Sequence, residues 1–124
     1  MSKIVLWASD VQSQAVFYSR LFDVEVPQIE ANFAEVSDGT NSVLLHGLPT
    51  EYASETSLTT PLPVQDDVAI KPVFTVSSID EAVIRIASTL AVIDPQRSLY
   101  ESYEYQDLID PEGNRIQIQQ THLT

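Results

Sequence analysis

From Lys3 to Ala8 the chain is apolar and β-branched, which predicts a strand. Asp10 then stands where a helix needs an N-cap. Beyond it Val11, Ala15, Tyr18 and Phe22 recur at helical spacing, with Phe17 and Leu21 beside them. Val24, Val26 and Pro27 end that pattern near Phe22. Three short strands are predicted next, over 24–29, 33–36 and 42–47, the last two joined by the turn Ser37-Asp38-Gly39-Thr40-Asn41. The stretch 48–68 carries Pro49, Pro61 and Pro63 and no periodicity, and reads as a linker or a loop over a site.

The pattern then restarts. Lys71 to Val76 predicts a strand. Ser78 and Glu81 form a capping box, and Ile79, Ala82, Val83, Ile86, Ala87 and Leu90 make one apolar helix face over 79–90. Strands are predicted over 91–93, 103–109 and 115–119, with a reversal at Asp110-Pro111-Glu112-Gly113-Asn114. Lys3, Val5 and Ser9 match Lys71, Val73 and Ser77 at a constant offset, so the elements form a duplicated unit. The fold class is α+β: one domain of two tandem βαβββ modules, about 1–48 and 69–124, joined by a linker at about 49–68. A lone module leaves one sheet face bare. Pairing two modules, within a chain or across a dimer, closes a curved mixed sheet around a cleft.

Composition narrows the function. With 124 residues and 44% hydrophobic content, the chain suits one ordinary domain with a real core. No cysteine is present, which removes disulfides, thiolate chemistry and sulfur-ligated zinc. The formal net charge of −12 repels phosphate backbones and argues against nucleic-acid binding; its ordinary role is solubility. The apolar stretch near the N-terminus is too short for a secretory or membrane-spanning segment, so a cytoplasmic location and no membrane partner are expected.

Two stretches carry a resemblance. Asp10 through Phe22 (D-V-Q-S-Q-A-V-F-Y-S-R-L-F) resembles the first helix of the vicinal oxygen chelate superfamily. Asp110 to Ile118 (D-P-E-G-N-R-I-Q-I) resembles its last hairpin. Glyoxalases, bleomycin-resistance proteins and extradiol dioxygenases belong to that superfamily. The resemblance spans essentially the whole chain and implies a glyoxalase/bleomycin-resistance-like fold. In metal-dependent relatives four side chains, usually His or Glu, hold one divalent ion. Carried over by motif, those positions are Lys3, His46, Lys71 and Gln117. Only His46 is a good ligand. A protonated lysine has no lone pair to give and repels a cation, and an amide carbonyl is weak. Shifting the alignment brings in Glu35, Asp107 or His122 without a recognisable ligand spacing. Neither a metal nor any other cofactor is therefore expected.

Strand alternation puts Lys3, Val5 and Trp7 on the cleft face, together with Ser42, Leu44, His46, Gln117 and Gln119. Trp7 is a candidate ligand contact, or a core or dimer-contact residue; Tyr103 and Tyr105, with Tyr100 nearby, are candidates to grip a flat ligand or to pack between subunits. Lys3 and Lys71 are candidates for an anionic ligand group, or for strand ends with ammonium groups in water. An inward lysine needs a partner, which Glu35 or Asp107 can supply. His46 is a candidate hydrogen-bonding group or a satisfied interior histidine. No nucleophile–base arrangement and no glycine-rich phosphate loop stand out, so no catalytic residue is assigned. The leading reading is a metal-free protein that holds a small molecule in an aromatic-lined cleft, as a homodimer. Two readings compete with it: a metal-dependent glyoxalase-type lyase, isomerase or dioxygenase, and a degenerate dimeric interaction module.

Overall fold

The computed structural model describes residues 2–48, 63–64 and 69–121. The element order is β1 (Ile4–Ala8), α1 (Val11–Phe22), β2 (Phe33–Ser37), β3 (Ser42–Gly47), β4 (Val73–Thr75), α2 (Ile79–Ile86), β5 (Val92–Tyr100), β6 (Tyr103–Ile109) and β7 (Arg115–Thr121). They build two sheets, ordered β1-β3-β2 and β4-β7-β6-β5. In each sheet the first strand runs parallel to the last strand of its half, and the remaining pairs are antiparallel. The repeat in the sequence is thus a repeat in topology, short by one strand among the described residues of the first half, where β1, β2 and β3 match β4, β6 and β7.

Both helix starts follow from their caps. The Asp10 carboxylate accepts the Ser13 N–H at 3.0 Å, and the Ser78 hydroxyl accepts the Glu81 N–H at 3.2 Å. Each satisfies a backbone donor that the first helical turn cannot pair internally. The helices bury Phe17, Tyr18, Leu21, Ile79 and Ile86 against Val43, Leu45, Ile116 and Ile118 of the sheets. Phe74 of β4 packs on Tyr18 and Phe22 of α1, with ring centroids 5.9 and 5.2 Å away, so one apolar core spans both halves.

Polar ties cross the same seam. Asn41 and the Thr75 backbone exchange two hydrogen bonds, at 2.8 and 3.1 Å. The Arg85 guanidinium donates to the last carbonyls of α1, on Arg20 and Leu21. Asp110 is fully buried in the 110–114 turn, where it accepts from Tyr18 Oη at 2.7 Å and Gln14 Nε2 at 3.0 Å. Glu112 accepts the Ser9 and Asp10 N–H groups at 2.7 and 3.0 Å. The D-P-E-G-N turn is therefore a fastening between the halves as well as a reversal.

Three elements differ from the sequence expectation. Residues 24–29 form no strand: Pro27 lacks a donor, and Ala31 and Asn32 take left-handed φ values of 51° and 59° that turn the chain straight into β2. The second helix stops at Ile86 instead of residue 90, because the Thr89 N–H and hydroxyl both take the Ile86 carbonyl. The strand expected at 91–93 runs on to Tyr100. Its pairing with β6 breaks between Ile93 and Arg97, and Pro95 sits in that irregularity, where no ladder donor is needed. Most of the 49–68 stretch lies outside the described residues.

Candidate functional site

The register aligns the two halves position by position. Val5, Leu44 and Glu35 lie side by side across β1-β3-β2, and Val73, Gln117 and Asp107 lie side by side across β4-β7-β6. The next set on the same face is Trp7, His46 and Phe33 in the first sheet and Thr75, Gln119 and Tyr105 in the second. Lys3 and Lys71 precede both. By this register the counterpart of Gln117 is Leu44, and that of His46 is Gln119. The four positions drawn from the superfamily therefore do not form two matching pairs: His46 stands one step further along the sheet than Gln117.

Each lysine has a carboxylate partner on its own sheet. Lys3 Nζ lies 2.8 Å from Glu35, and Lys71 Nζ lies 3.3 Å from Asp107. The second oxygen of Asp107 accepts Gln117 Nε2 at 2.8 Å. His46 is exposed, with Nδ1 3.1 Å from the Gly47 carbonyl oxygen. Its ring meets Trp7 edge-on at 4.8 Å and Phe33 at 6.2 Å. This arrangement does not fit a divalent ion. The two carboxylates available as donors are engaged by ammonium groups, and the imidazole sits among rings. Among the described residues no group of three or more His, Asp or Glu side chains is placed to hold a metal. His122 lies outside the described residues.

The candidate residues thus fall on two faces of different chemistry. Lys3, Trp7 and His46 share the first sheet, where Phe33 joins them and Trp7 is 57% exposed. Lys71, Tyr105 and Gln117 line a pocket of about 290 Å³ on the second sheet, together with Asp94, Arg97 and Asp107. Tyr103 packs against Tyr105 at 6.2 Å. Rings gather on the open first face, whereas the pocket on the second sheet is polar.

Sequence reasoning missed Phe33, Asp94 and Arg97. Phe33 was legible, since it alternates with Glu35 on one strand. Asp94 and Arg97 were hidden because β5 was taken to end at Ile93. Arg97 is held by Asp80, Glu104 and Gln106.

Away from these faces, burial and then the Asp110 charge hold the Tyr18 hydroxyl well above its ordinary pKa. Burial raises the Glu112 carboxyl against the opposing pull of the Ser9 and Asp10 N–H groups. Both groups belong to the fastening between halves.

No protein-family model and no curated sequence matches the chain. Solved structures do. A glyoxalase/bleomycin resistance protein from Albidiferax ferrireducens superposes with a TM-score of 0.69 at 12% identity, over 97% of each chain. A glyoxalase/bleomycin resistance protein/dioxygenase family enzyme from Burkholderia phytofirmans gives 0.65 at 18% identity, again over 97% of each chain. A glyoxalase/bleomycin resistance protein from Catenulispora acidiphila gives 0.59 at 14% identity, over 97% of this chain and 96% of that one. The chain has the glyoxalase/bleomycin-resistance fold, the fold of the vicinal oxygen chelate superfamily that its two motifs resemble.

Proposed function

We propose that this protein is a metal-free small-molecule-binding protein that works as a cytoplasmic homodimer. One observation carries the reading: Lys3 and Lys71 engage Glu35 and Asp107 at the positions where relatives in the superfamily would present metal ligands. A divalent ion entering at either position finds the nearby carboxylate already engaged by an ammonium group. The polar pocket on the second sheet supplies a concave place for a ligand, and the Trp7–His46–Phe33 face supplies an apolar wall or a subunit contact.

A second reading, a metal-dependent enzyme, draws on the Burkholderia phytofirmans neighbour, which is described as a dioxygenase family enzyme. It requires a donor set that the described residues do not assemble. Elemental analysis and native mass spectrometry of freshly purified protein separate the two. The expected outcome is no stoichiometric Ni, Zn, Fe or Mn, no change in melting temperature with chelator, and no glyoxalase activity on adding those metals. One tightly held ion per subunit, with a melting temperature that falls on chelation, would overturn the proposal. Among the described residues no helix is long and apolar enough to cross a membrane.

A further inference from the structure

The pocket on the β4-β7-β6-β5 sheet has a charge pattern of its own. Lys71 and Arg97 bring positive charge to its walls, and Asp94 and Asp107 bring negative charge. Their availability differs. Arg97 is spent on Asp80, Glu104 and Gln106. Lys71 has one anionic partner, Asp107, at 3.3 Å, and both side chains of that pair are more than a third exposed. Exposed pairs of this kind are weak, and an ammonium keeps further N–H donors for a second acceptor. The Asp94 carboxylate takes the Gln96 N–H at 3.0 Å, and among the described residues no cation pairs with it. The pocket therefore presents one ammonium with donors to spare and one carboxylate without a counter-charge.

We propose that this pocket binds a small zwitterion of the α-amino-acid type, its carboxylate on Lys71 and its ammonium on Asp94. The inference rests on the reading of the protein as a metal-free small-molecule binder and names the ligand class. A bare anion on Lys71 leaves the Asp94 carboxylate without a counter-charge in a chain of net charge −12, and a bare cation on Asp94 leaves the spare donors of Lys71 unused. An apolar ligand finds little to bury against, since the Tyr105 ring is the one aromatic surface among the lining residues. A ligand bearing both charges leaves neither Lys71 nor Asp94 facing a like charge. Gln117 and Tyr105 add hydrogen-bonding groups for a polar side chain. A volume of about 290 Å³ is at the small end of ligand pockets, which suits a molecule of amino-acid size. The matching place on the first sheet has Leu44 for Gln117 and Phe33 for Tyr105, so only the second half carries this chemistry.

The test uses the full-length protein. Thermal-shift measurements with each standard α-amino acid at about 10 mM are expected to show stabilisation by at least one of them. Titration calorimetry then compares that compound with its N-acetyl and α-amide derivatives, which remove one charge each. Either cap is expected to weaken binding about tenfold or more. Lys71→Met should weaken the free amino acid without weakening the α-amide. Asp94→Asn keeps the oxygen that takes the Gln96 N–H; it should weaken the free amino acid without weakening the N-acetyl derivative. The proposal is overturned if no amino acid stabilises the protein, or if capped and free compounds bind alike. Native mass spectrometry tells the two levels apart. A retained ligand of another charge class removes the zwitterion and keeps the metal-free binder, whereas a stoichiometric metal removes both.

Discussion

At the scale of single residues, the Asp110–Tyr18 contact ties the two halves together in the interior. Asp110 is fully buried and accepts from Tyr18, Gln14, the side chain of Asn114 and the N–H groups of Glu112 and Asn114. Those donors satisfy the oxygens of a side chain shut off from water. Burial first, and then the neighbouring Asp110 charge, make ionising Tyr18 costly, which raises its pKa well above 10.0. The folded state therefore holds the Tyr18 proton more tightly than the unfolded chain does. The stability this contributes is fully present below about pH 10 and is lost as pH rises beyond that. Urea unfolding of wild type should show stability falling as pH rises from about 10 to about 11, and Tyr18→Phe should show a shallower fall. At neutral pH Tyr18→Phe should cost about 1–3 kcal/mol, because Asp110 loses a donor in a buried place. An equal alkaline slope in both proteins would show that Tyr18 does not carry the effect.

At the scale of elements, what was legible followed local rules and what was not depended on tertiary partners. The caps Asp10 and Ser78, the face of α1, the first two turns of α2 and the turn at 110–114 each rest on chemistry within a few residues, and all stand where the sequence puts them. The strand over 24–29 had alternating Val24 and Val26, but pairing is decided by a neighbour, and Pro27 with the reversal at Ala31 and Asn32 removes it. The length of β5 was hidden for the opposite reason. Pro95 interrupts the alternation, and the interruption is repaired from another strand: the Gln106 amide donates to the carbonyls of Asp94 and Gln96 and accepts from Arg97 Nε at 3.0 Å. The candidate site divides along the same line. Lys3 and Lys71 were legible as a repeat, with Glu35 and Asp107 as possible partners. The offset of His46 from Gln117 needed the strand register. Gln106→Leu should orphan the two carbonyls of the irregularity and destabilise by about 1–3 kcal/mol. Hydrogen exchange should quicken over 92–100 while α1 stays protected; uniform acceleration across the chain would argue against a local role.

At the scale of the whole molecule, charge sets where two copies can meet. Each chain carries a net charge of −12, so most approaches between copies are repulsive. The first sheet offers a different surface. Its charged pair there, Lys3 with Glu35, is internally neutral, and around it Val5 is 54% exposed, Trp7 57% and Phe33 37%. Exposed apolar residues grouped on one face gain by being covered, and a neutral pair adds little repulsion to the approach. A homodimer that buries this face has two consequences. Raising salt from about 20 mM to about 300 mM should tighten association, because screening reduces the long-range repulsion and leaves apolar burial intact. Trp7→Asp should return the protein to monomer at micromolar concentration without unfolding it, since Trp7 lies outside the core. Sedimentation equilibrium at both salt concentrations, with circular dichroism to verify the fold of the variant, measures each. A wild-type monomer at both salt concentrations, or a Trp7→Asp dimer as tight as wild type, would exclude this face as the contact between subunits.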